Sequence, residues 1–546
     1  MVGQLPPDWP PASLDEAIKA NVRANPAGWA YIEPEARISW AAYDGYITVM
    51  AARLLAEGLR PGDRVGVWIS DGIAVHVAIN ACLRAGLVAV GIGARSGTRE
   101  VRHLLGTSSA RALVTESRYR GQERLPAVRE LRSQLPALDR VLLVGDVMPE
   151  IKGAVTAMAD VRALAAAEAI VAGRHRDPGG LSLINSTSGT TGLPKCVAHT
   201  ERRWIKYHEY AADAGELAPG DIFMSVVPAP FGFGLWTAHF TPTLLGAPVI
   251  VLPRFDVRQL LTMLAAEQVT VLMAVSTQFV LMLGESDLDQ FDLSALRVLY
   301  TGGEAVPYHK ALEFEQRTGA TVLNMYGSNE TGVQSYTTLR DPAERRLTTA
   351  GRVIEEVRVR LFDMAGNEVP RGVGPGRPAS RGEVCSLGYY GDDNANRQLL
   401  TPDGWTLMGD LVTIDREGYL RVVGRTSDFI IRGGKNISAP AVEEEVGTHP
   451  CVLHCAAVAM PDPVFGERVC IYVVPQPGVP SVDLAGIIAH LKRRGVSTEW
   501  FPERLVQVEE LPTSEGGKVA KAALRADLAR RLAAERAGSA EGGEPA

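Results

Sequence analysis

At 546 residues the chain is too long for one hydrophobic core, so two or more domains are expected. Apolar residues make up 46% and charged residues 22%, the balance of an ordinary globular protein rather than a fibrous or disordered one. A net charge of -7 argues against nucleic acid or an anionic membrane surface as the main partner. No run of about 18 apolar residues predicts a transmembrane helix. Residues 1–11 are proline-rich and lack the basic-then-apolar pattern of a signal peptide. Six cysteines in this length fit a reducing compartment, hence the cytoplasm.

Ser13-Leu-Asp-Glu16 has the spacing of a capping box and predicts a helix that stops before Pro26. Ser39 is placed to cap a second helix, to about residue 57, and Pro61-Gly62-Asp63 turns into an apolar strand over 65–69. A helix over 73–84, a strand over 88–92, a helix over 99–105 and a strand over 112–115 follow. Apolar strands alternating with helices imply a parallel sheet covered on both faces. Strands at 181–184, 247–252, 269–275 and 297–300 continue the pattern, the last running into the turn Thr301-Gly-Gly-Glu304. Ligands of α/β sheets gather at such strand ends. Composition shifts near residue 425, where Gly424-Arg-Thr-Ser-Asp428 precedes an apolar run and Gly433-Gly434. A boundary here gives an N-terminal domain of residues 1–427 and a C-terminal domain of residues 428–546. The latter is predicted to contain helices over 440–448, 484–493 and 522–535, strands over 455–460 and 469–474, and a disordered tail over 538–546. Cys451, His454 and Cys455 are close enough in sequence to raise a zinc site. The run 451–460 is apolar and strand-like, however, and no second ligand pair lies nearby, so a strand is the expectation.

The loop after strand 181–184 reads Ser186-Thr-Ser-Gly-Thr-Thr-Gly-Leu-Pro-Lys195. Hydroxyls, two glycines and a lysine supply short donors and let backbone N–H groups approach a polyanion. Leu193 and Pro194 separate Gly192 from Lys195 and no Gly-Lys-Ser/Thr follows, so this is not the P-loop of the common NTPases. The spelling resembles the signature of the adenylate-forming (AMP-binding) superfamily of acyl-CoA synthetases, aryl-acid ligases, carrier-protein adenylation domains and luciferases. Four further segments resemble that family in its own order. Asn324-Met-Tyr-Gly-Ser-Asn-Glu-Thr331 is similar to its Tyr-Gly-x-Thr-Glu motif, and Trp405-Thr-Leu-Met-Gly-Asp410 to its Trp-x-x-Thr-Gly-Asp. Gly424-Arg425-x-x-Asp428 is similar to its ribose arginine and hinge, and Leu511-Pro-Thr-Ser-Glu-Gly-Gly-Lys518 to its C-terminal lysine loop. The resemblance runs from about residue 13 to 530, and the texture of 499–524 looks closest to the aryl-acid ligases.

The resemblance implies an α/β fold: a large N-terminal domain of parallel α/β sheets plus a small, mobile α+β C-terminal domain joined by a hinge. It implies an acid–thiol ligase that uses ATP and Mg²⁺ to form an acyl-adenylate and pyrophosphate, then passes the acyl group to a thiol and releases AMP. By resemblance Thr187, Ser188, Gly189, Thr190, Thr191, Gly192 and Lys195 hold the β- and γ-phosphates. Gly303, Glu304, Asn324, Met325, Tyr326, Gly327, Ser328 and Asn329 lie about the adenine and phosphates, with Tyr326 packed on the base. Glu330 holds the metal, a hard cation that prefers carboxylate oxygen. Asp410 accepts both ribose hydroxyls, a task suited to a carboxylate, and Arg425 also reaches the ribose. Lys518 meets the carboxylate and the α-phosphate together, where a compact cation stabilises charge on both oxygens. Asp428 is the pivot about which the small domain turns between half-reactions, carrying Lys518 out and Gly433 and Gly434 in toward the thiol tunnel.

Several positions depart from the family pattern. Cys196 stands where glycine usually follows the lysine, Phe231 where many members carry a pocket histidine, and Asn329 where threonine precedes the glutamate. Met408 replaces a threonine, Ala441 a frequent glutamate, and the segment 382–389 looks short. The departures point to a specialised substrate, of the kind used in secondary metabolism. The acid pocket is expected from about 228–240, 275–279 and 300–303, with Gly302, Phe231, Gly232, Phe233 and Trp236 as lining. Residues 222–255 contain no Asp or Glu. An α-ammonium group would be costly to bury there, so the expected acid is apolar, aromatic, alicyclic or bulky, and lacks an α-amino group. The acceptor is CoA or the pantetheine of a separate acyl carrier protein, since the chain ends soon after Lys518 without an attachment site of its own. A luciferase-like oxygenase uses the same fold and adenylate. A nucleotide-binding homologue that has lost catalysis is the other alternative, against which Lys518 and Glu330 argue. A monomer or homodimer without nucleic-acid or membrane partners is expected.

Overall fold

The computed structural model describes residues 11–158, 160–174, 177–187, 193–303, 306–425, 428–432, 435–479 and 481–541. The first helix, Leu14–Ala24, opens on Ser13, whose hydroxyl accepts the Glu16 N–H. The second, Trp40–Ala56, opens on Ser39 in the same way. Helix Ile73–Arg84 and strands Val88–Ile92 and Ala112–Thr115 fall where the periodicity predicts them.

Two sheets organise the N-terminal part. The smaller runs Cys196–Thr200, Leu181–Ser186, Val88–Ile92, Arg64–Trp68, Ala112–Thr115, Arg140–Leu143. The larger runs Arg352–Val353, Gly332–Tyr336, Thr321–Ser328, Val298–Gly302, Val271–Met273, Phe223–Ser225, Val249–Val251, Trp29–Glu33, Ala36–Ser39, Gly153–Val155. Their centres are parallel. Antiparallel partners occur where the connection is too short for a crossover, as between Leu181–Ser186 and Cys196–Thr200 and between Thr321–Ser328 and Gly332–Tyr336. Helix Ile73–Arg84 touches strands of both sheets, so a helical layer fills the space between them. One continuous core joins Val65 and Val67 of the small sheet to Tyr31, Phe223 and Val249 of the large one.

A separate sheet forms from Lys435–Ser438, Phe429–Arg432, Gly466–Pro475 and Val452–Asp462, with Arg504–Gln507 added in parallel to Gly466–Pro475. Its side chains alternate strictly. Cys455, Ala457, Ile471 and Val473 face helices Ala439–Gly447 and Leu484–Arg493. Ala456, Val458, Cys470 and Tyr472 face the last helix and share one apolar cluster with the outer layer of the large sheet. Cys455 therefore points into a core, where its thiol donates to the Glu443 carbonyl at 3.3 Å. No group of three metal-ligating side chains occurs among the described residues. The C-terminal helix, Lys521–Glu541, runs further than expected: residues 538–541 are helical rather than disordered. The alanine-, arginine- and leucine-rich run before Gly538 carries the helix on through that weak residue. Among the described residues no helix is long and apolar enough to cross a membrane.

His76, His199, His208 and His239 are fully buried. Burial holds His76 and His199 well below the ordinary imidazole range and pushes His208 and His239 down to about 3. In the unfolded chain each ring titrates near about 6.5, so their contribution to stability is whole above that pH and is lost as the pH falls toward the folded values. Each pH unit below about 6.5 costs about 1.4 kcal/mol per ring. Burial and the nearby Glu33 carboxylate push Asp71 up to about 7. That carboxyl works the other way, losing its contribution as the pH rises through about 7, and offsets part of one histidine pair. The four rings outweigh it. Urea unfolding is expected to show a midpoint at pH 5.0 well below that at pH 7.5, and equal midpoints would contradict the neutral, buried assignment.

Candidate active site

The signature loop leaves strand Leu181–Ser186 and returns as Cys196–Thr200, closed by the Thr187 N–H donating to the Lys195 carbonyl at 3.2 Å. Ser188, Gly189, Thr190, Thr191 and Gly192 lie outside the described residues. The returning strand is paired on its free side by residues 387–390. The Leu387 N–H donates to the Ala198 carbonyl, the Ala198 N–H to the Gly388 carbonyl, and the Tyr390 N–H to the Cys196 carbonyl at 2.7 Å. This pairing sets the Tyr389 ring under Lys195, whose ammonium lies 4.5 Å from the ring centroid. The Tyr389 hydroxyl donates to Glu330 Oε1 at 2.8 Å. Burial and the Glu330 carboxylate raise the phenol above its ordinary range, so it stays a donor. The bridging tyrosine has a sequence signal, since Gly388-Tyr389 sits in the segment that departs from the family spacing.

Asn324, Met325, Tyr326, Gly327 and Ser328 lie on strand Thr321–Ser328 and its end. Met325 points into the core at 2% exposure, while the Asn324 N–H donates to the Thr337 hydroxyl. A Cβ on Gly327 would run into the Gly332 carbonyl, so the tight turn that presents Glu330 requires glycine there. The Ser328 hydroxyl is used inside this turn, accepting the Glu330 and Thr331 N–H groups at 3.2 and 3.1 Å. The buried Tyr326 hydroxyl donates to Asp410 Oδ2 at 2.9 Å. Asp410 opens strand Asp410–Ile414 and is paired in register with Arg425. Gly302 ends strand Val298–Gly302, paired with Met325 on the neighbouring strand. Gly303 follows at φ +80°, and a Cβ there would collide with the Lys518 ammonium. The C-terminal lysine thus reaches the ends of the adjacent strands that carry Gly302 and Tyr326. Glu304 lies outside the described residues, as do Gly433 and Gly434. Asp428 is ion-paired to Arg525 of the last helix at 3.4 Å.

Lys518 comes from a turn in which the Ser514 N–H donates to the Lys518 carbonyl at 2.6 Å and Gly517 adopts φ +80°. The turn rests on the loop 93–96. The Ser96 hydroxyl donates to Glu515 Oε1 at 2.8 Å, and the Arg95 guanidinium to the Ser514 carbonyl at 2.6 Å. A Cβ on Gly93 would strike the Glu515 carboxylate and lie 3.0 Å from Phe231 Cζ.

Phe231, Gly232 and Phe233 lie on the loop and first turn leading into the segment Leu235–Phe240, which is wound as a π-helix with the Thr241 N–H reaching back to the Trp236 carbonyl. The cause is Pro242, which has no N–H for the Ala238 carbonyl; the Tyr31 hydroxyl donates to it instead at 2.9 Å. Trp236, 1% exposed, stacks on Tyr207 at 5.4 Å and meets Phe233 and Tyr300 edge-on. Phe231 and Phe233 are only half-buried. A Cβ on Gly232 would fall onto Asn329 Oδ1, which brings the aromatic loop against the turn that presents Glu330.

Sequence reasoning gives no warning of the network behind that turn. Arg203 is fully buried and faces no carboxylate hydrogen-bond partner among the described residues. Its guanidinium donates to His199 Nδ1 and, at 2.7 Å, to the Asn329 carbonyl, and lies 4.8 Å from the Trp204 ring centroid. His199 Nε2 donates to Asn185 Oδ1 at 2.7 Å, and Asn185 Nδ2 donates to Asn329 Oδ1 at 3.2 Å. Burial lowers Arg203 to about 10. In sequence it is one of two adjacent arginines on an amphipathic helix. Among the departures, Cys196 is 2% exposed and packs in the outer core of the small sheet, where burial pushes its thiol up to about 12. Met408, 6% exposed, likewise fills core.

Residues 18–390 match the AMP-binding enzyme family and residues 441–518 match the AMP-binding enzyme C-terminal domain. The chain belongs to the AMP-binding enzyme family. It is 30% identical over 527 residues to a medium-chain fatty-acid–CoA ligase of Escherichia coli (strain K12), covering 96% of this chain and 92% of that protein. It is 31% identical over 536 residues to a 2-hydroxy-7-methoxy-5-methyl-1-naphthoate–CoA ligase of Streptomyces carzinostaticus, covering 96% and 94%. The fold is shared with the crystal structure of the anthranilate CoA ligase AuaEII in complex with anthranoyl-AMP, at a TM-score of 0.83, 22% identity, and coverage of 95% and 98%. Membership of this AMP-binding family makes the protein an adenylate-forming, acid-activating ligase.

Tyr389→Phe keeps the ring under Lys195 and removes the hydrogen bond to Glu330. A hydrogen bond to a charged group contributes about 1.5–3 kcal/mol. Acid-dependent ATP–pyrophosphate exchange is expected to fall about 10- to 100-fold with the fold intact by circular dichroism, and wild-type exchange would remove Tyr389 from the site.

Proposed function

We propose that the protein is an ATP-dependent carboxylic acid–CoA ligase acting through an acyl-adenylate, on an apolar aromatic, alicyclic or bulky acid without an α-amino group. The observation that carries this reading is the approach of Lys518 to Gly303, at the end of the strand beside the one that leads to Tyr326 and Glu330. A carboxylate oxygen of the substrate attacks the α-phosphorus of ATP, the bond to the β-phosphate oxygen breaks, and pyrophosphate leaves. Lys518 stabilises the charge on the two reacting groups, and Lys195 holds the departing phosphates. Tyr326 packs on adenine while its hydroxyl fixes Asp410 for the ribose hydroxyls, and Arg425 adds to the ribose contact. The thiol sulfur then attacks the acyl carbon, AMP departs, and the thioester is formed. Asp428, at the start of a small domain comprising residues 428–546, is the pivot between the two steps.

A metal fits the donor set. Glu330 Oε1 takes the Tyr389 hydroxyl, and no hydrogen bond reaches Oε2 among the described residues, which leaves a hard oxygen beside the signature lysine. Magnesium, when bound there, supplies neutralising charge for the phosphates. For the acid, Phe231 and Phe233 line the pocket and Trp236 backs them, on a segment without acidic residues to pair an α-ammonium. Relatives named for a medium-chain fatty acid and a substituted naphthoate support an acid of this apolar kind.

Exchange is expected with benzoic, cinnamic, alicyclic or fatty acids and not with amino acids. Silence across such a panel with ATP binding intact would favour a homologue that has lost catalysis. Thioester formation on CoA is expected; loading only of a carrier's pantetheine would replace CoA as acceptor. Lys518→Ala should abolish adenylation yet spare thiolysis of supplied acyl-adenylate, and equal loss in both half-reactions would contradict its assignment. Phe231→Ala should shift preference toward bulkier rings, and an unchanged substrate profile would take Phe231 out of the pocket.

A further inference from the structure

We propose that Glu515 is a positioning residue for Lys518: its carboxylate, seated on Ser96 in the notch of loop 93–96, latches the lysine loop in the pose that delivers the ammonium to Gly303. The inference rests on the adenylation role of Lys518 given above. The lysine loop contains two consecutive glycines, Gly516 and Gly517, and glycine forfeits the most backbone freedom on ordering. A tether is therefore needed close to the lysine. Glu515 lies three residues before Lys518, a span of at most about 10 Å of chain, so fixing one confines the other. The carboxylate is held by the Ser96 hydroxyl, and the adjoining Ser514 carbonyl by Arg95. The other charged group facing it is Glu100, which with burial opposes ionisation and is countered by Arg95 and Ser96. Desolvating a carboxylate is costly unless it is hydrogen-bonded, and the seat supplies that bond. Gly93 completes the notch, because any side chain there would displace the Glu515 carboxylate and press on Phe231. The seat thus joins the acid-pocket loop, the small sheet and the lysine loop at one point.

The test measures both half-reactions in the full-length protein: acid-dependent ATP–pyrophosphate exchange, and thiolysis by CoA of supplied acyl-adenylate. Glu515→Ala is expected to lower exchange kcat about tenfold, the size of one charge-assisted hydrogen bond, and to leave thiolysis at or above wild type. Glu515→Gln retains an oxygen for Ser96 and should recover most of the exchange rate. Gly93→Ala should resemble Glu515→Ala. The double variant should be no slower than either single one, because the two changes break the same contact. Equal loss in both half-reactions, or additive losses in the double variant, would overturn the latch. Amide hydrogen exchange across residues 511–518 gives a readout that does not depend on turnover. Faster exchange in Glu515→Ala and Gly93→Ala supports the latch even if the assigned chemistry fails, and unchanged exchange overturns it even if adenylation proceeds.

Discussion

The candidate site depends on one tyrosine. Tyr389 stands between the signature lysine and the glutamate of the neighbouring sheet, offering a ring face to one and a hydroxyl to the other. Neither partner touches it by chance of chain proximity: Lys195 ends the signature loop, while Glu330 sits on a turn of the other sheet. Backbone pairing of residues 387–390 with Cys196–Thr200 brings the tyrosine to its place. Cation and anion side chains brought together from two sheets would otherwise be drawn onto each other. The phenol keeps them apart while satisfying both.

Behind this bridge a buried cation performs a structural task. A guanidinium shut away from water without a carboxylate is expensive, and Arg203 is tolerated because an imidazole nitrogen, a backbone carbonyl and an indole face share its charge. The return is a fixed amide. Asn185 donates to Asn329 Oδ1, so the Nδ2 end of Asn329 is left as the donor, next to Glu330. A different mode of anchoring joins the two halves of the chain. One face of the small sheet continues the apolar cluster of the large sheet's outer layer, whereas the lysine loop is held by polar contacts.

Much of the fold is legible in the sequence, because capped amphipathic helices and apolar strands declare themselves locally. Ser13, Ser39, the helix Ile73–Arg84 and the strand Val88–Ile92 are of this kind. Motif order also brings Tyr326, Asp410, Gly303 and Lys518 into one list, and the folded chain brings them into contact in pairs. What the sequence hides is long-range partnership. Arg202 and Arg203 read alike, yet one is exposed and the other is fully buried. Ser96 and Glu515 are separated by 419 positions and carry no local signal of their meeting. The π-helix at Leu235–Phe240 is concealed for another reason. It arises from a missing N–H at Pro242 and a hydroxyl from Tyr31, more than 200 residues away.

That wide turn gives the segment an unusual route to change. A π turn holds one residue more than an α turn, so removing a single residue from 235–240 would let the segment relax to ordinary α geometry. Because the extra residue is absorbed within one turn, the helix on either side would keep its facing. Only the packing of the segment itself, where Trp236 and Phe240 are buried, would be reset. Loss of one residue is therefore tolerable in this stretch, where the same change in a regular helix would turn every residue beyond it.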